Sequence, residues 1–330
     1  MSFKYLGITF HRNGNLKSSQ QVLLKQTLRA KAVLDNYLRK HKHLPVKIIF
    51  DLFDTLVKPI ILYGCEIWGY NMCKDVEQFH LSFLKRILGV KSSTNTCLIY
   101  VETGRYPLYV TVYKQIIKYW LRLLRMPEHR FISIIYKKST TPWSMFVKDL
   151  LFQFGFGDVW ETEAAYIDDS LFIKQFEQRV MDVFLQSCFS KITTAHRCLL
   201  YNALDRNFTM AKYLHIVHIQ SNRKAMTKLR LSSHRLLIER GRWLSILPAD
   251  RICTDCNMIE DEYHAVCICT RYVDIRKHYI KRYYRVKPSM FKFVQLLNTD
   301  NIKEMQKLAV FIKILFIKYN LYIFDQSHDI

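Results

Sequence analysis

Glycine and proline are scarce in this chain, with nine Gly and seven Pro among 330 residues. This scarcity excludes a collagen-like or linker-like protein, and the 50% apolar content excludes general disorder. Apolar runs of membrane-spanning length are also missing, since the run from Leu308 to Ile317 is short and contains Lys313. The N-terminus lacks the pattern of a secretory signal peptide. We therefore expect a globular intracellular protein, nuclear or cytoplasmic, with no membrane partner.

Acidic residues are also few, with 28 Asp and Glu against 50 Lys and Arg, which gives a formal net charge of +22. Solubility alone requires much less charge in a chain of this size. A strong positive field attracts polyanions. We expect RNA or DNA as the partner, and no small-molecule substrate.

The nine cysteines fall into two groups. Five occur singly among residues with a core-like pattern: Cys65, Cys73, Cys97, Cys188 and Cys198. The other four lie within one short stretch: Cys253, Cys256, Cys267 and Cys269. In a reducing compartment, closely spaced cysteines favour a metal site over disulfides.

The clustered cysteines belong to the sequence RICTDCNMIEDEYHAVCICTRY. Cys253 and Cys256 form a C-x2-C pair, His264 follows after seven intervening residues, and Cys269 follows after four more. Three thiolates and one imidazole can complete a tetrahedral shell around Zn²⁺, with no open position left for catalysis. The spacing therefore predicts a structural zinc site, with Cys267 outside it.

The acidic residues of this motif are expected to be solvated rather than bound to metal, because thiolates and imidazole already complete the shell. They are Asp255, Glu260, Asp261 and Glu262. The alternative interpretation of the motif is a set of reduced cysteines beside an unrelated histidine.

Basic residues flank the motif on both sides. We predict that a set of them, with two tyrosines, contacts nucleic acid: Arg223, Lys224, Lys228, Arg230, Arg235, Arg240 and Arg242 before the motif, and Arg276, Lys277, Lys281, Arg282, Tyr283, Tyr284, Arg285 and Lys287 after it. Lys and Arg neutralise phosphates while Tyr rings stack on bases, as in surfaces that bind single-stranded or structured RNA. The alternative is a solvated helix face with buried tyrosines.

The apolar periodicity predicts a mainly α fold. Phe3 to Phe10 alternates like a short β-hairpin, for which Asn13-Gly14-Asn15 is expected to supply the turn. Helical patterns begin at residue 19, are interrupted by Pro45, and recur over residues 46–57, 76–88, 112–126, 172–189 and 302–322. Domain boundaries are expected in residues 137–143 and near Pro248.

One short motif resembles a hydrolase site. IIFDLFDTLV is similar to the nucleophile motif of haloacid-dehalogenase-like phosphatases, with Asp51 as the nucleophile. Such a site requires parallel strands alternating with helices, and the sequence that follows lacks this alternation. We therefore expect an amphipathic helix with Phe50, Phe53 and Val57 in the core.

A second motif, Tyr166-Ile167-Asp168-Asp169, matches the Y-x-D-D turn of reverse transcriptases. Two-metal catalysis also requires a third aspartate on a neighbouring strand, and no apolar hairpin surrounds this motif. We expect a helix N-terminus instead, capped by Asp169 or Ser170.

A series of segments resembles, in order, the C-terminal part of reverse transcriptases of non-LTR retrotransposons, of the LINE type and jockey-like. FKYLGITF at residues 3–10 resembles the last strand motif of the palm, and LVKPIILYGCEIWG at 56–69 resembles the signature that follows in the thumb. FLKRILGVKSSTNTCLIYVETGRYPL at 83–108 and KLRLSSHRLLIERGRW at 228–243 continue the series. The cysteine and histidine motif then resembles the zinc-knuckle-like motif of these elements.

The resemblance implies four segments. They are a palm remnant with the hairpin (1–19), a thumb-like helical domain (20–136), a helical connector (137–247), and a zinc-knuckle-like module with C-terminal helices (248–330). It also implies a Cys3His zinc site on Cys253, Cys256, His264 and Cys269.

The catalytic aspartates of the family lie upstream of its last palm strand, so none is assigned to a residue of this chain. The resemblance therefore implies a truncated fragment that binds nucleic acid and is not an enzyme. The alternatives are a phosphatase that uses Asp51, a residual polymerase that uses Asp168 and Asp169, and the product of a decayed element without a cellular role.

Overall fold

The structure is a computed structural model, and it describes residues 2–12, 14, 16–195, 199–204 and 207–328. These residues are mainly helical, with one two-stranded antiparallel sheet near the N-terminus. The predicted mainly α fold with a short N-terminal hairpin is confirmed. Of the single cysteines considered above, Cys198 lies outside the described residues.

The chain divides into two compact units, each assembled from three separate segments. The first comprises Met1–Arg39, Phe50–His80 and Tyr106–Cys188, and the second comprises Lys40–Ile49, Leu81–Arg105 and Phe189–Ile330. The boundaries expected after residues 19, 136 and 247 each fall inside one of these units. The division into four segments stays a prediction.

The N-terminal sheet consists of strands β1 (Ser2–Tyr5) and β2 (Ile8–His11). Leu6 and Gly7 connect them, with φ angles of 45° and 84°. Two successive positive φ angles are typical of a tight hairpin turn, and glycine adopts them at low cost. The turn predicted at Asn13-Gly14-Asn15 is therefore wrong, because the chain reverses earlier; positions 13 and 15 lie outside the described residues.

The first eleven helices lie wholly or partly in the first unit, except α6, which belongs to the second. They are α1 (Lys17–Lys40), α2 (Val46–Leu56), α3 (Lys58–Ile61), α4 (Cys65–Trp68), α5 (Lys74–Leu88), α6 (Thr96–Thr103), α7 (Leu108–Leu124), α8 (Phe131–Lys138), α9 (Pro142–Gln153), α10 (Gly157–Glu161) and α11 (Asp169–Thr194). Helices α1, α2, α5, α7 and α11 confirm the patterns predicted in this part of the chain.

Aromatic side chains fill much of the core of the first unit. Phe50, Phe53 and Val57 are buried, as the amphipathic pattern of α2 predicts. The Phe53 ring stacks on His80 with 5.6 Å between ring centroids, and Trp120 is fully buried. Each large apolar side chain removed from water contributes about 1.5–3 kcal/mol of transfer free energy.

The remaining helices belong to the second unit. They are α12 (Leu199–Ala203), α13 (Lys212–Ile216), α14 (Gln220–Arg230), α15 (Leu237–Trp243), α16 (Val273–Tyr279), α17 (Arg282–Arg285), α18 (Met290–Leu297) and α19 (Ile302–His328). Helix α19 confirms the last predicted helix and packs against α14 and α16. Within the described part of the chain, none of the helices is long and apolar enough to cross a membrane.

One of the two motifs that resemble catalytic sites lies on a helix, and the other lies at the N-terminus of a helix. Asp51 is exposed within α2, so the expected amphipathic helix is confirmed. Asp168 precedes α11, and its Oδ1 accepts the backbone N–H of Leu171 at 2.7 Å. The cap is therefore Asp168, and the expectation of Asp169 or Ser170 is wrong.

Candidate metal centre

A tight turn presents the first two cysteines of the motif. The N–H of Cys253 donates to the carbonyl of Met258 at 2.7 Å, and the N–H of Asn257 donates to the carbonyl of Cys253 at 2.9 Å. Asn257 adopts the left-handed conformation, with φ of 51°, which asparagine tolerates better than most residues. This closed turn brings the thiols of Cys253 and Cys256 into one cluster.

A single wide helical turn presents the other two residues. His264–Ile268 is a π-helical turn, closed by the N–H of Cys269, which donates to the carbonyl of His264 at 2.8 Å. Asp261 precedes the turn and accepts the backbone N–H of His264 at 2.7 Å. Such π-helical turns are rare and occur often at functional sites.

The four potential ligand atoms converge at one point. All of them lie within 4.8 Å of one another, one from each of Cys253, Cys256, His264 and Cys269. The Cys269 Sγ lies 3.9 Å from the Sγ of Cys253 and 3.9 Å from that of Cys256. Zinc–sulfur bonds of about 2.3 Å in a tetrahedron require sulfur atoms about 3.8 Å apart. These four residues can therefore hold a metal ion.

The environment of His264 fits a metal ligand. Its side chain is buried, and neither ring nitrogen has a hydrogen-bond partner among the described residues. Burial of polar groups without partners is costly, and a metal bond would satisfy one of the two nitrogens. Burial, followed by the charges of Arg276 and Arg271, lowers the pKa of His264. The neutral imidazole that results is the form that binds metal.

The three thiols differ in their surroundings. Burial raises the pKa of Cys269 to about 12 and also raises the pKa of Cys253. Burial acts on Cys256 in the same direction, but its Sγ accepts the N–H of Thr270 at 3.4 Å and lies 3.3 Å from its hydroxyl. These contacts lower the pKa of Cys256 overall. A bound cation would offset the burial cost of the thiolates.

Arg276 supports the turn that carries His264 and Cys269. Its side chain is buried, and the guanidinium donates to the carbonyls of Val266 at 2.7 Å, Cys269 at 2.8 Å and Ala265 at 3.3 Å. Arg276 is therefore a structural residue of the site, not the exposed phosphate contact expected from the sequence.

Arg271 links the first turn to α19, and the sequence analysis did not select it. Its guanidinium forms a bidentate pair with Asp255, at 2.9 and 2.8 Å. The same guanidinium lies over the Tyr322 ring, 3.6 Å from the centroid. Asp255 is thus paired instead of simply solvated.

Two of the other acidic residues are buried, which corrects the expectation that they are solvated. Glu262 accepts hydrogen bonds from His234 Nε2 at 2.8 Å and from the Ser232 hydroxyl at 2.9 Å. Burial disfavours its charge, but His234 lowers the pKa of Glu262 overall. Glu260 forms a hydrogen bond with Tyr319, and burial raises its pKa. Neither glutamate belongs to the metal cluster.

Cys267 is buried as well and lies outside the cluster. Burial raises the pKa of its thiol to about 12, so the thiol stays protonated at neutral pH. Cys267 is therefore not one of the four residues whose ligand atoms converge.

The residues predicted to contact nucleic acid differ in exposure. Those exposed are Arg235, Lys277, Lys281, Arg282, Tyr283 and Lys287; those half-buried are Lys224, Lys228, Arg240, Arg242 and Arg285; those buried are Arg223, Arg230, Arg276 and Tyr284. A buried side chain cannot reach a phosphate or a base on the outside of the protein. The four buried residues are therefore removed from the candidate contact surface.

Interior partners account for the buried cations. The Nε of Arg230 donates to the Glu102 carboxylate at 2.7 Å, and the Tyr201 hydroxyl donates to the same carboxylate at 2.9 Å. Arg223 donates to the backbone carbonyls of Val217 and His218, at 3.2 and 3.3 Å. Both arginines therefore stabilise the interior of the second unit.

Among the exposed and half-buried cations, some line a cavity of about 360 Å³ in the second unit. Lys228 and Arg235 contribute to its wall together with Lys91. The N–H of Lys91 donates to the Ser233 hydroxyl at 2.9 Å, and its Nζ donates to the carbonyl of His234 at 2.9 Å. Two basic stretches that are distant in sequence thus lie side by side.

Comparison with known proteins identified no relative of this chain. No protein-family model matches the chain, and neither a curated protein nor a solved structure matches it at a significant level. The molecule is thus described at the level of its class, as a mainly helical, strongly basic protein with a Cys3His cluster.

Proposed function

We propose that this chain is a nucleic-acid-binding, C-terminal region of a non-LTR retrotransposon reverse transcriptase, folded around a structural zinc ion. The proposal depends above all on one observation: Cys253, Cys256, His264 and Cys269 have ligand atoms within 4.8 Å of one another. These four residues make up the cysteine and histidine motif, which is the last segment in the ordered series that resembles those enzymes.

The donor set supports a structural zinc ion. Three thiolates and an imidazole are ligands that zinc prefers, and four protein ligands leave no position for a water or a substrate. One of the two orphaned ring nitrogens of His264 and the buried thiols of Cys253 and Cys269 are groups that a metal would stabilise. Such a metal contributes folding free energy to the segment that binds it.

Two further observations support the assignment to these enzymes. The segments 83–108 and 228–243, which are neighbours in the ordered series, share hydrogen bonds through Lys91, Ser233 and His234. The net charge of +22 is suited to phosphate backbones. We assign no polymerase or phosphatase activity to the chain, because Asp51 is exposed on a helix and Asp168 is a helix cap.

Binding to labelled oligonucleotides tests the proposal. Fluorescence anisotropy of the purified chain with single-stranded RNA, single-stranded DNA and duplex should show binding that weakens steeply with salt. The expected slope of log K against log salt is roughly −0.7 per phosphate contact for single strands and −0.9 for duplex DNA. Binding that does not change between 50 and 200 mM salt, or no binding at all, would contradict the proposal.

Activity assays form the complementary test. Neither primer extension with Mg²⁺ nor hydrolysis of phosphate monoesters is expected. Nucleotide incorporation that depends on metal and disappears in Asp168→Asn would overturn the assignment, as would phosphatase activity that disappears in Asp51→Asn.

A further inference from the structure

A concave cavity of about 390 Å³ lies in the second unit, and residues of α16, α17 and α19 contribute to its wall. Six cations line it: Lys277, Lys281, Arg282, Arg285, Lys303 and Lys307. The sequence analysis selected the first four, and the structure adds the two from α19. We call this cavity the basic cleft.

A single carboxylate, that of Glu304, lies among these cations. Glu304 is engaged by Lys281, which forms an ion pair with it, and by the Tyr284 hydroxyl. Within the described part of the chain, the other five cations of the cleft have no carboxylate within ion-pair distance. Arg285 is held in place, since its Nε donates to the carbonyl of Ile280 at 2.8 Å.

Several cations around one cavity repel each other, and an anion that enters the cavity lowers this repulsion. Lys303 and Lys307 are four residues apart on α19, so they project from the same face of the helix. Arg282 and Arg285 approach from α17. The cleft therefore presents positive charge from more than one side, which is suited to phosphate groups.

The shape of the cleft limits which phosphates can enter. Cavities of this volume accommodate groups of the size of a small ligand. A duplex presents its phosphates on a wide convex surface, whereas a single strand can bend and place successive phosphates in a positively charged groove. Tyr283, next to Arg282 in α17, is 52% exposed and offers a ring on which a base can stack.

We infer that the basic cleft binds the phosphodiester backbone of single-stranded nucleic acid, with Lys303 and Lys307 as phosphate contacts. The inference rests on the proposed function, and it adds the strand state of the ligand and the location of the contact. Pyrophosphate and the headgroups of anionic phospholipids share the phosphate chemistry, so the test includes them separately.

A pair of double variants tests the inference in the full chain. Lys303→Ala/Lys307→Ala removes two cations from the cleft, and Lys138→Ala/Lys318→Ala removes two exposed lysines outside it. Both lower the net charge equally, and Lys318 lies on the same helix as the cleft lysines. Zinc content and circular dichroism would verify that both fold. Lys303→Arg/Lys307→Arg keeps the charge and should restore binding if the first variant loses it.

The probes are a single-stranded RNA 20-mer, the corresponding duplex, pyrophosphate and anionic phospholipid vesicles. The cleft variant should bind the single strand at least about 10-fold more weakly than the control variant, with a salt slope smaller by about 1.4 for two lost phosphate contacts. Its affinity for the duplex should fall no more than that of the control.

Other outcomes overturn the inference in distinguishable ways. If the wild-type chain binds no nucleic acid, the proposed function fails first. If the wild-type chain binds but the two double variants lose affinity equally, only the cleft is excluded as the contact. A cleft-specific loss seen with pyrophosphate or vesicles, and not with the single strand, would assign the cleft to a free phosphate ligand or to a membrane surface instead.

Discussion

The guanidinium of Arg276 donates a 2.8 Å hydrogen bond to the carbonyl of Cys269, whose thiol is one of the four potential metal ligands. The same side chain also donates to the carbonyls of Val266 and Ala265. One buried cation thus fixes the backbone between His264 and Cys269. The position of the ligand atoms depends on this arginine, although Arg276 offers no metal ligand itself.

Replacement of Arg276 by alanine should destabilise the second unit by about 2–4 kcal/mol, because several buried carbonyls lose their donors together. Zinc should also dissociate faster from the variant. Chemical denaturation and transfer of zinc to a chromophoric chelator measure the two effects.

Lys277→Ala is the matched control, since Lys277 is exposed on the same helix. The stability of this variant should stay within about 0.5 kcal/mol of wild type. If Arg276→Ala is as stable as wild type and loses only nucleic-acid affinity, Arg276 is a nucleic-acid contact, as the sequence predicted.

Elemental analysis of the purified chain should find one zinc ion per chain. Cys256→Ser should lose the metal, because a serine hydroxyl is a poor replacement for a thiolate. Cys267→Ser should keep it, since Cys267 lies outside the cluster. Removal of zinc by a chelator should unfold the segment locally, because metal binding free energy in such motifs, about 10–16 kcal/mol in zinc-finger peptides, is also folding free energy. Loss of zinc from Cys267→Ser would show that the ligand set is different.

Local patterns account for what the sequence predicted correctly. The helix α2 and the four converging ligands each depend on spacings within about twenty residues, and periodicity and ligand spacing are visible in the chain itself. Whether an arginine is buried or exposed could not be predicted from such local patterns. Arg230 is buried because Glu102, 128 residues away, meets it in the interior. A basic residue in a sequence gives no sign of such a distant partner, so exposed and buried arginines look alike.

The pair of Glu102 and Arg230 leads to a stability prediction. Arg230→Ala should cost about 3–5 kcal/mol, because it leaves the Glu102 carboxylate buried without its cationic partner, beside the hydroxyls of Tyr201 and Tyr213. Equilibrium unfolding in urea measures the loss. Arg235→Ala, at an exposed position five residues later, should change stability by less than about 0.5 kcal/mol. Equal stabilities for the two variants would show that the buried pair does not form.

Asp168 provides a prediction about pH. Its bond from the backbone N–H of Leu171, and then the hydroxyl of Ser170, lower the pKa of this carboxyl below its ordinary value. A carboxyl with a lowered pKa in the folded state stabilises the protein above its unfolded pKa, and this contribution disappears as the pH falls through the folded pKa. Asp168→Ala should therefore lower the Tm at pH 7, and the difference from wild type should shrink below about pH 4.

Asp168→Asn is the control for this prediction, because an asparagine side chain can also cap a helix N-terminus. It should keep most of the stability at pH 7 and show a weaker dependence on acid than wild type. Thermal unfolding at a series of pH values provides the measurement. A Tm difference for Asp168→Ala that is the same at pH 3 and pH 7 would contradict the charged cap.

The last prediction concerns Tyr283, which is 52% exposed, whereas its neighbour Tyr284 is buried. The Nζ of Lys292 lies 4.7 Å from the centroid of the Tyr283 ring, which fixes the ring through a cation–π contact. A ring held in this way can stack on an unpaired base at low entropic cost. Tyr283→Ala should therefore weaken the binding of single strands by about 1–3 kcal/mol. The salt slope should stay unchanged, because no phosphate contact is lost.

Two further variants separate stacking from packing. Tyr283→Phe keeps the ring and should bind single strands as wild type does, and duplex binding should be the same in all Tyr283 variants. Tyr284→Ala should lower the free energy of unfolding instead, because it empties a buried position next to Arg285 and removes a hydroxyl that bonds Glu304. Anisotropy titrations at two salt concentrations, together with urea unfolding, measure both properties. If Tyr283→Ala weakens single-strand and duplex binding alike, the ring supports the surface without stacking, and base contact must come from another aromatic residue.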